Sequence, residues 1–236
     1  MMDCTAPDRS RKRSPQTVLD FIDCVKKIDE GTMTGESEGK SPAVKPFDVL
    51  RTDEREDVLA SLELVALLVP NLKREPHFWK WVVIAAQNAL QGALVCALSN
   101  TDRLGALRPD LQKRWRTWHD KGEGDAPDRK LADFKTLLKW GCDAQRMSFM
   151  GGKPLDLTDA QLQELEWLHD GYRNDFSHFT PMGWSIDLSR FPRMVLTAVE
   201  TAEHIMLNQP HIVIHLSGNQ KERIEKNAAT ARIAFG

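Results

Sequence analysis

Apolar residues recur every three or four positions over most of the chain after residue 50, which is the pattern of helices with one buried face. Pro70 and Pro181 close two of these helices, because an interior proline removes a hydrogen bond and clashes with the preceding turn. The pattern predicts helices over 58–69, 78–98, 107–118, 131–138, 159–179, 191–207 and 219–235. We therefore predict an all-α fold in which a helical bundle forms the core.

The segment from Phe78 to Leu98 is apolar on most of its circumference and should be the central helix. Four polar residues interrupt it on one narrow stripe: Lys80, Gln87, Asn88 and Gln91. We read this stripe as the solvent side, the alternative being the wall of a polar cleft. The segment is long enough to span a membrane, but these polar residues favour a buried core helix, and no membrane partner is expected.

The chain is expected to have three parts. Residues 1–46 hold a flexible basic N-terminal tail, an accessory helix and a linker rich in Gly, Ser, Glu and Pro. Residues 47–208 form the helical bundle. Residues 209–236 form a short strand-like segment, because His211 to Leu216 alternates in polarity, followed by the helical tail. His211 and His215 lack a further ligand nearby and are read as surface residues rather than a metal site.

Composition adds limits on compartment and partners. The four cysteines, at 4, 24, 96 and 142, lack the short spacing of a zinc site or redox pair, and the N-terminus has no apolar leader. These features predict free thiols and a cytoplasmic location. The net charge of −2 does not support general affinity for duplex nucleic acid, which needs a basic surplus.

Two further features have plain structural explanations. Five basic residues surround Trp115 and Trp118, and we read them as a solvated helix face: Arg103, Arg108, Lys113, Arg114 and Arg116. The loop from Met150 to Pro154 contains Gly-Gly-Lys, but it follows no strand and lacks the spacing of a phosphate-binding P-loop. We interpret it as a turn.

The helix predicted from residue 159 has a well-marked start, because Thr158 and Gln161 form a capping box. Its apolar face should be buried and consists of Leu162, Leu165, Leu168, His169, Tyr172, Phe176 and Phe179. His169 on that face is expected to be a satisfied core histidine. The opposite stripe lacks Lys and Glu, which predicts a second packing surface suited to self-association: Trp167, Gly171, Asn174 and His178.

The end of this helix carries the residue types that RNA cleavage without a metal requires. His178 can act as general base or acid on a ribose hydroxyl, and Arg173 can hold the scissile phosphate. Asn174 lies one turn before His178 and can orient either partner. Arg173 lies about 140° from His178 around an ideal helix, so a long arginine side chain or a second subunit must bring the two together.

The run Arg173-Asn174-Asp175-Phe176-Ser177-His178, at the end of a helix, resembles the R-x4-6-H motif of the HEPN superfamily. The following residues 179–184 also resemble the tail seen after this motif in HEPN-like bacterial proteins. HEPN domains are α-helical bundles, and many are metal-independent endoribonucleases of toxin–antitoxin and other defence systems. Their catalytic clefts typically form where two motif helices meet in a dimer.

The resemblance implies a HEPN-like homodimer that cleaves RNA, with an antitoxin as a further partner and with neither cofactor nor metal. It assigns Arg173 as the phosphate contact, Asn174 as the accompanying polar residue and His178 as the general acid or base. The alternative is a non-catalytic HEPN-like binding or scaffold protein that uses the same surface to hold a partner or a nucleotide.

Overall fold

The computed structural model describes residues 50, 52–99, 102–178, 183 and 185–236. Over these residues the chain forms α1 (Glu54–Leu68), α2 (Trp79–Leu98), α3 (Pro109–Lys121), α4 (Phe134–Gly141), α5 (Ala144–Phe149), α6 (Asp159–Trp167), α7 (Asn174–Ser177), α8 (Phe191–Asn208), α9 (Pro210–Val213) and α10 (Gly218–Phe235). A π-helix, Leu168–Arg173, joins α6 to α7. No β-strand occurs in the described residues, so the predicted all-α fold is confirmed. The tail, accessory helix and linker predicted for residues 1–46 lie outside the described part of the chain.

Helix α1 begins at an N-cap aspartate and packs along α2. The Asp53 carboxylate accepts hydrogen bonds from the backbone N–H groups of Arg55 and Glu56, which would otherwise lack partners in the first turn. The side of α1 that faces the core consists of Val58, Leu59, Leu62, Val65 and Leu68. Gly92 allows the close approach of α2, because a Cβ there would lie 2.8 Å from a Val58 methyl carbon.

Helix α2 is the centre of the bundle, as the sequence predicts. It contacts α1, α4, α8 and the π-helix, and most of its side chains are buried. By length and composition alone, Pro76–Leu98 could cross a membrane, yet 67% of its most apolar window is buried inside the bundle. The apolar character of α2 is therefore used for packing within this fold.

Helices α8 and α10 complete the bundle: α8 packs on α2, and α10 packs on both α1 and α8. Phe235 near the end of α10 stacks on Trp79 at 5.5 Å between ring centroids. Arg223 of α10 also pairs with Glu63 of α1 at 2.6 Å, and Arg232 pairs with Glu200 of α8 at 3.1 Å. The C-terminal helix is thus fixed to α2 by an aromatic contact and to α1 and α8 by ionic contacts.

Helix α3 has its own small core beside the bundle. Trp115 packs with Leu104 and Leu107, and its indole N–H donates to the Asp128 carbonyl at 3.1 Å. The Arg129 guanidinium lies 4.4 Å from the centre of the Trp115 ring. Gly122 ends the helix in the left-handed conformation with φ of 65°, which a side chain would disfavour.

The strand-like segment predicted for residues 211–216 is wrong. Pro210–Val213 form the helical turn α9, and Pro210 stands at its start, where the missing N–H of proline costs no hydrogen bond. Ile212 is buried, whereas Ile214 is exposed. The alternating polarity reflects a short turn lying across the end of α2, with one apolar side chain inward, rather than an extended chain.

Candidate functional site

The candidate site lies at the end of a long helical segment with three consecutive parts. It begins at the predicted capping box, in which the Thr158 hydroxyl accepts from the Gln161 N–H and the Gln161 side chain accepts from the Thr158 N–H. Helix α6 continues into the π-helix, and the N–H of Asn174 donates to the carbonyl of His169, five residues earlier. The final turn, α7, ends at Ser177.

The π-helix changes which residues share a face. A π-turn holds about one residue more than an α-turn, so the residues after it are rotated by about 100° from their positions in an unbroken α-helix. The predicted stripe of Trp167, Gly171, Asn174 and His178 assumes an unbroken helix. These four residues therefore do not lie on one straight face. π-Helical turns are frequent at functional sites, and this one ends at Arg173.

The predicted core face of this segment is otherwise confirmed where it is described. Leu165, Leu168 and Phe176 are buried. The half-buried Tyr172 meets Phe191 of α8 edge-to-face, with ring centroids 4.6 Å apart. Aromatic pairs in this geometry stabilise a fold by more than the free energy expected from their buried area alone. They fix residues 168–178, called the motif segment below, against α8, so Arg173, Asn174 and His178 stand on a rigid support.

Arg173 and Asn174 are brought together by a side-chain hydrogen bond. Nη1 of Arg173 donates to Oδ1 of Asn174 at 3.1 Å. The Arg173 side chain is half-buried, and its Nε atom is enclosed without a partner among the described residues. Asn174 therefore orients the guanidinium, which leaves Nη2 and the outer edge of the group for an anion.

His178 stands at the C-terminal end of α7 with its side chain exposed. Its backbone N–H donates to the carbonyl of Asn174 at 2.9 Å, so the two residues are one helical turn apart. No hydrogen bond joins the side chains of Arg173 and His178 within the described residues. One chain thus positions a partly enclosed guanidinium and, one turn further on, an accessible imidazole.

Beneath the motif, a buried polar cluster links α2 to the π-helix. Nε2 of Gln87 donates to Oε1 of Gln91 and to Nδ1 of His169, each at 3.0 Å. Since an amide nitrogen is only a donor, Nδ1 of His169 accepts and the ring proton lies on Nε2. The same imidazole stacks on Phe134 at 4.6 Å between centroids. His169 is the satisfied core histidine that the sequence predicts.

The charge state of His169 is set by its surroundings. Burial lowers the pKa of the imidazole, and the positive charges of Arg173 and Lys135 lower it further, against the opposing effect of Asp170. Lys135 is itself held at 2.7 Å by the Asp170 carboxylate. A neutral His169 is required for the hydrogen bond that it accepts from Gln87.

The prediction that the polar stripe of α2 faces solvent is wrong at Gln87. It is fully buried, so at this position the polar stripe of α2 faces the motif segment rather than solvent. Its Oε1 atom is enclosed without a partner among the described residues. The sequence did carry a signal: a histidine on an apolar face requires a polar partner, and α2 is the central apolar helix with polar residues on one stripe.

The outer side of the segment is exposed at Trp167 and Gly171. Trp167 is 42% exposed, and the Arg190 guanidinium lies 4.8 Å from the centre of its ring. Gly171 is exposed, and a Cβ added there would meet nothing within 4 Å. This surface therefore carries a large aromatic ring at Trp167 and has no side chain at Gly171.

Neither a metal site among the described residues nor a match to a known protein identifies the function of this region. Among the described residues, no three His, Cys, Asp or Glu side chains come close enough to hold one metal ion. Searches against protein-family models, curated proteins and solved structures give no match to this chain.

Proposed function

We propose that this protein is a metal-independent HEPN-like endoribonuclease of the toxin or defence type, acting as a cytoplasmic homodimer. The observation that carries the proposal is the pairing of Arg173 with Asn174 one helical turn before the exposed His178. An anchored guanidinium and an accessible imidazole supply an anion clamp and a proton carrier. The motif segment presents both from a rigid helical support.

The chemistry follows from these two groups. His178 in its neutral form takes the proton of a ribose 2′-hydroxyl, whose oxygen attacks the adjacent phosphorus. The bond from phosphorus to the 5′-oxygen breaks, and a protonated histidine supplies the proton to that leaving oxygen. The products are a 2′,3′-cyclic phosphate and a 5′-hydroxyl. Arg173 stabilises the negative charge that builds on the phosphate oxygens.

A dimer brings the complementary groups together. Within one chain, the half-buried Arg173 is hydrogen-bonded to Asn174, whereas the His178 side chain is exposed. A second motif segment packed across the first would place the His178 of one copy beside the Arg173 of the other. The exposed Trp167 and the open surface at Gly171 provide contact area for such a pairing.

The experiment that tests this role compares Arg173→Ala with Arg114→Ala, an exposed arginine of α3 that serves as the matched control. We expect Arg173→Ala to lower cleavage of single-stranded RNA in EDTA by about 10²-fold or more, because charge stabilisation is lost. Arg114→Ala should cleave as wild type does. Equal activity of all three proteins would contradict the assignment.

A second experiment tests whether the cleft is formed by two chains. Heterodimers formed from Arg173→Ala and His178→Ala chains include one intact pair across the interface, so mixing the two inactive variants should restore part of the activity. Activity that stays at the level of the separate variants would argue that the cleft lies within one chain.

A second candidate function is a non-catalytic HEPN-like binding or scaffold protein. The observation that favours it is the half-burial of the Arg173 side chain, because a cation packed near the end of a helical segment also stabilises that end. In that case Arg173→Ala would lower the free energy of unfolding, and wild type would cleave no RNA. Thermal unfolding measured beside the cleavage assay separates the two candidates.

A further inference from the structure

A hollow of about 650 Å³ opens where the end of α2 meets α9, the start of α1 and the loop after α5. Small-molecule sites in proteins usually measure about 300–1,000 Å³. The hollow brings together three features that lie far apart in the sequence: the glycine loop at Met150 and Gly151, the pair His211 and His215, and the basic residue Arg103.

One wall of the hollow is held rigidly. The buried Gln209 side chain accepts from the Lys153 N–H at 2.8 Å and donates to the Lys153 carbonyl at 2.9 Å. A Cβ on Gly152 would lie 2.9 Å from the His211 ring, so the loop backbone packs directly on the imidazole. These contacts hold the loop in place without a ligand, so binding would require little ordering of the loop.

The His211 ring is fixed in one tautomer. Its Nε2 atom contacts the Ala97 carbonyl at 3.0 Å, and since a carbonyl only accepts, Nε2 carries the proton. Nδ1 therefore has a lone pair, and no donor among the described residues reaches it. Because Nδ1 is closed off and Nε2 is bonded, the His211 ring is a fixed part of the wall rather than a hydrogen-bonding contact for a ligand.

Two arginines line the hollow, and they differ in whether their side chains already have partners among the described residues. The Arg55 guanidinium is already engaged by the Asp53 carboxylate at 2.6 Å and by the His215 carbonyl at 3.1 Å. Arg103, in contrast, makes no side-chain hydrogen bond or ion pair with any other described residue. Its backbone has φ of 56°, a left-handed conformation that is uncommon for a residue with a side chain and is enriched at ligand-binding sites.

The rim is apolar. Phe149 is 76% exposed and Ile214 is 75% exposed, and both line the same hollow from different helical turns. The Cys96 thiol in the wall is mostly buried, and burial together with the nearby Glu54 raises its pKa to about 12. The thiol is therefore neutral near pH 7 and contributes an apolar surface rather than a nucleophile.

We propose that this hollow binds a small aromatic anion, with the anionic group on Arg103 and the aromatic ring against Phe149 and Ile214. The site is independent of the ribonuclease proposed above, because none of its residues belongs to the motif segment. The shared ligand chemistry is a flat apolar body that carries one carboxylate or phosphate.

The test uses 8-anilinonaphthalene-1-sulfonate, an aromatic anion whose fluorescence rises on binding, titrated into the full chain. We expect saturable binding of one dye per chain, weakened about tenfold by Arg103→Gln because an ionic contact is lost. Phe149→Ser and Ile214→Ser should weaken it also. Glu54→Gln should strengthen it, since a negative charge leaves the lining. Matched controls are Arg74→Gln and Ile233→Ser, which change exposed residues elsewhere.

Displacement of the dye identifies the anionic group. Benzoate and phenyl phosphate are titrated separately, and displacement by one of them assigns a carboxylate or a phosphate ligand. Binding that does not saturate, that neither anion displaces, or that responds equally to Arg103→Gln and Arg74→Gln would overturn the proposal. Stronger binding in Arg103→Gln would also overturn it. Circular dichroism of each variant confirms that the comparison is made between folded proteins.

Discussion

The half-buried His169 and the motif residue Arg173 interact electrostatically, because the charge of the guanidinium lowers the pKa of the imidazole. The sequence predicts correctly that His169 is a core residue, because it lies on the apolar face of its helix. The pattern does not identify its partner Gln87, since a narrow polar stripe looks the same whether it faces water or another helix. Only the packing of α2 on the π-helix distinguishes the two.

We predict that the His169 ring titrates below the ordinary histidine value of about 6.5. Arg173→Gln should raise this pKa, because a positive charge that opposes protonation is removed. The measurement is an NMR titration of the histidine ring signals. A midpoint that is unchanged in Arg173→Gln would show that the guanidinium does not act on His169.

The same shift has a consequence for stability. Because the folded pKa of His169 is lowered, the unfolded chain binds the proton first as the pH falls. The stability that depends on neutral His169 is therefore present above pH of about 6.5 and is lost as the pH falls toward the folded pKa. His169→Gln, which keeps an acceptor for Gln87, should reduce the difference in the free energy of unfolding between pH 7.5 and pH 5.5.

At the scale of the element, the strongest patterns gave the most accurate predictions. Helix α2 and the capping box at Thr158 stand where the sequence places them, because long apolar periodicity and a reciprocal cap each leave few alternatives. The six-residue helix α5 was not predicted, since so short a segment has little periodicity. The π-helix could not be predicted either, because it depends on how the segment packs against α2 and α8.

Helix α2 should be the element on which stability depends most. Leu90 is fully buried at its centre, so Leu90→Ala should lower the free energy of unfolding by about 2–5 kcal/mol through lost transfer energy and a residual cavity. Leu64 on α1 is 38% exposed and serves as the control, since Leu64→Ala leaves little cavity. Chemical denaturation measures both. Similar losses in the two variants would place α2 outside the core.

For the molecule as a whole, the sequence predicts the residues of the candidate site but not how they are arranged. The motif supplied Arg173, Asn174 and His178, and the structure joins the first two by a hydrogen bond while His178 faces solvent. Whether a second copy supplies the missing neighbour depends on a surface whose shape follows from the π-helix rather than from residue spacing. The net charge of −2 adds that any RNA contact must come from local groups.

Self-association through the motif segment predicts a specific defect. Gly171→Glu places a charged side chain on an exposed, uncrowded position two residues before Arg173, so it should yield monomers without lowering the stability of each chain greatly. Gln163→Glu, an exposed change on α6, is the control and should remain dimeric. Sedimentation velocity decides between them. A wild-type protein that is monomeric at high micromolar concentration would contradict this prediction.

The central claim, that His178 carries proton transfer in RNA cleavage, is tested most directly by one rate ratio. The rate of cleavage of single-stranded RNA in EDTA is compared between wild type and His178→Ala, with His204→Ala as a control at another exposed histidine. General acid–base catalysis typically contributes about 10²–10⁴-fold, so we expect a loss of that size in His178→Ala alone, with 2′,3′-cyclic phosphate ends in the wild-type products. Wild-type protein that cleaves no RNA, or His178→Ala that cleaves as well as wild type, would contradict the claim.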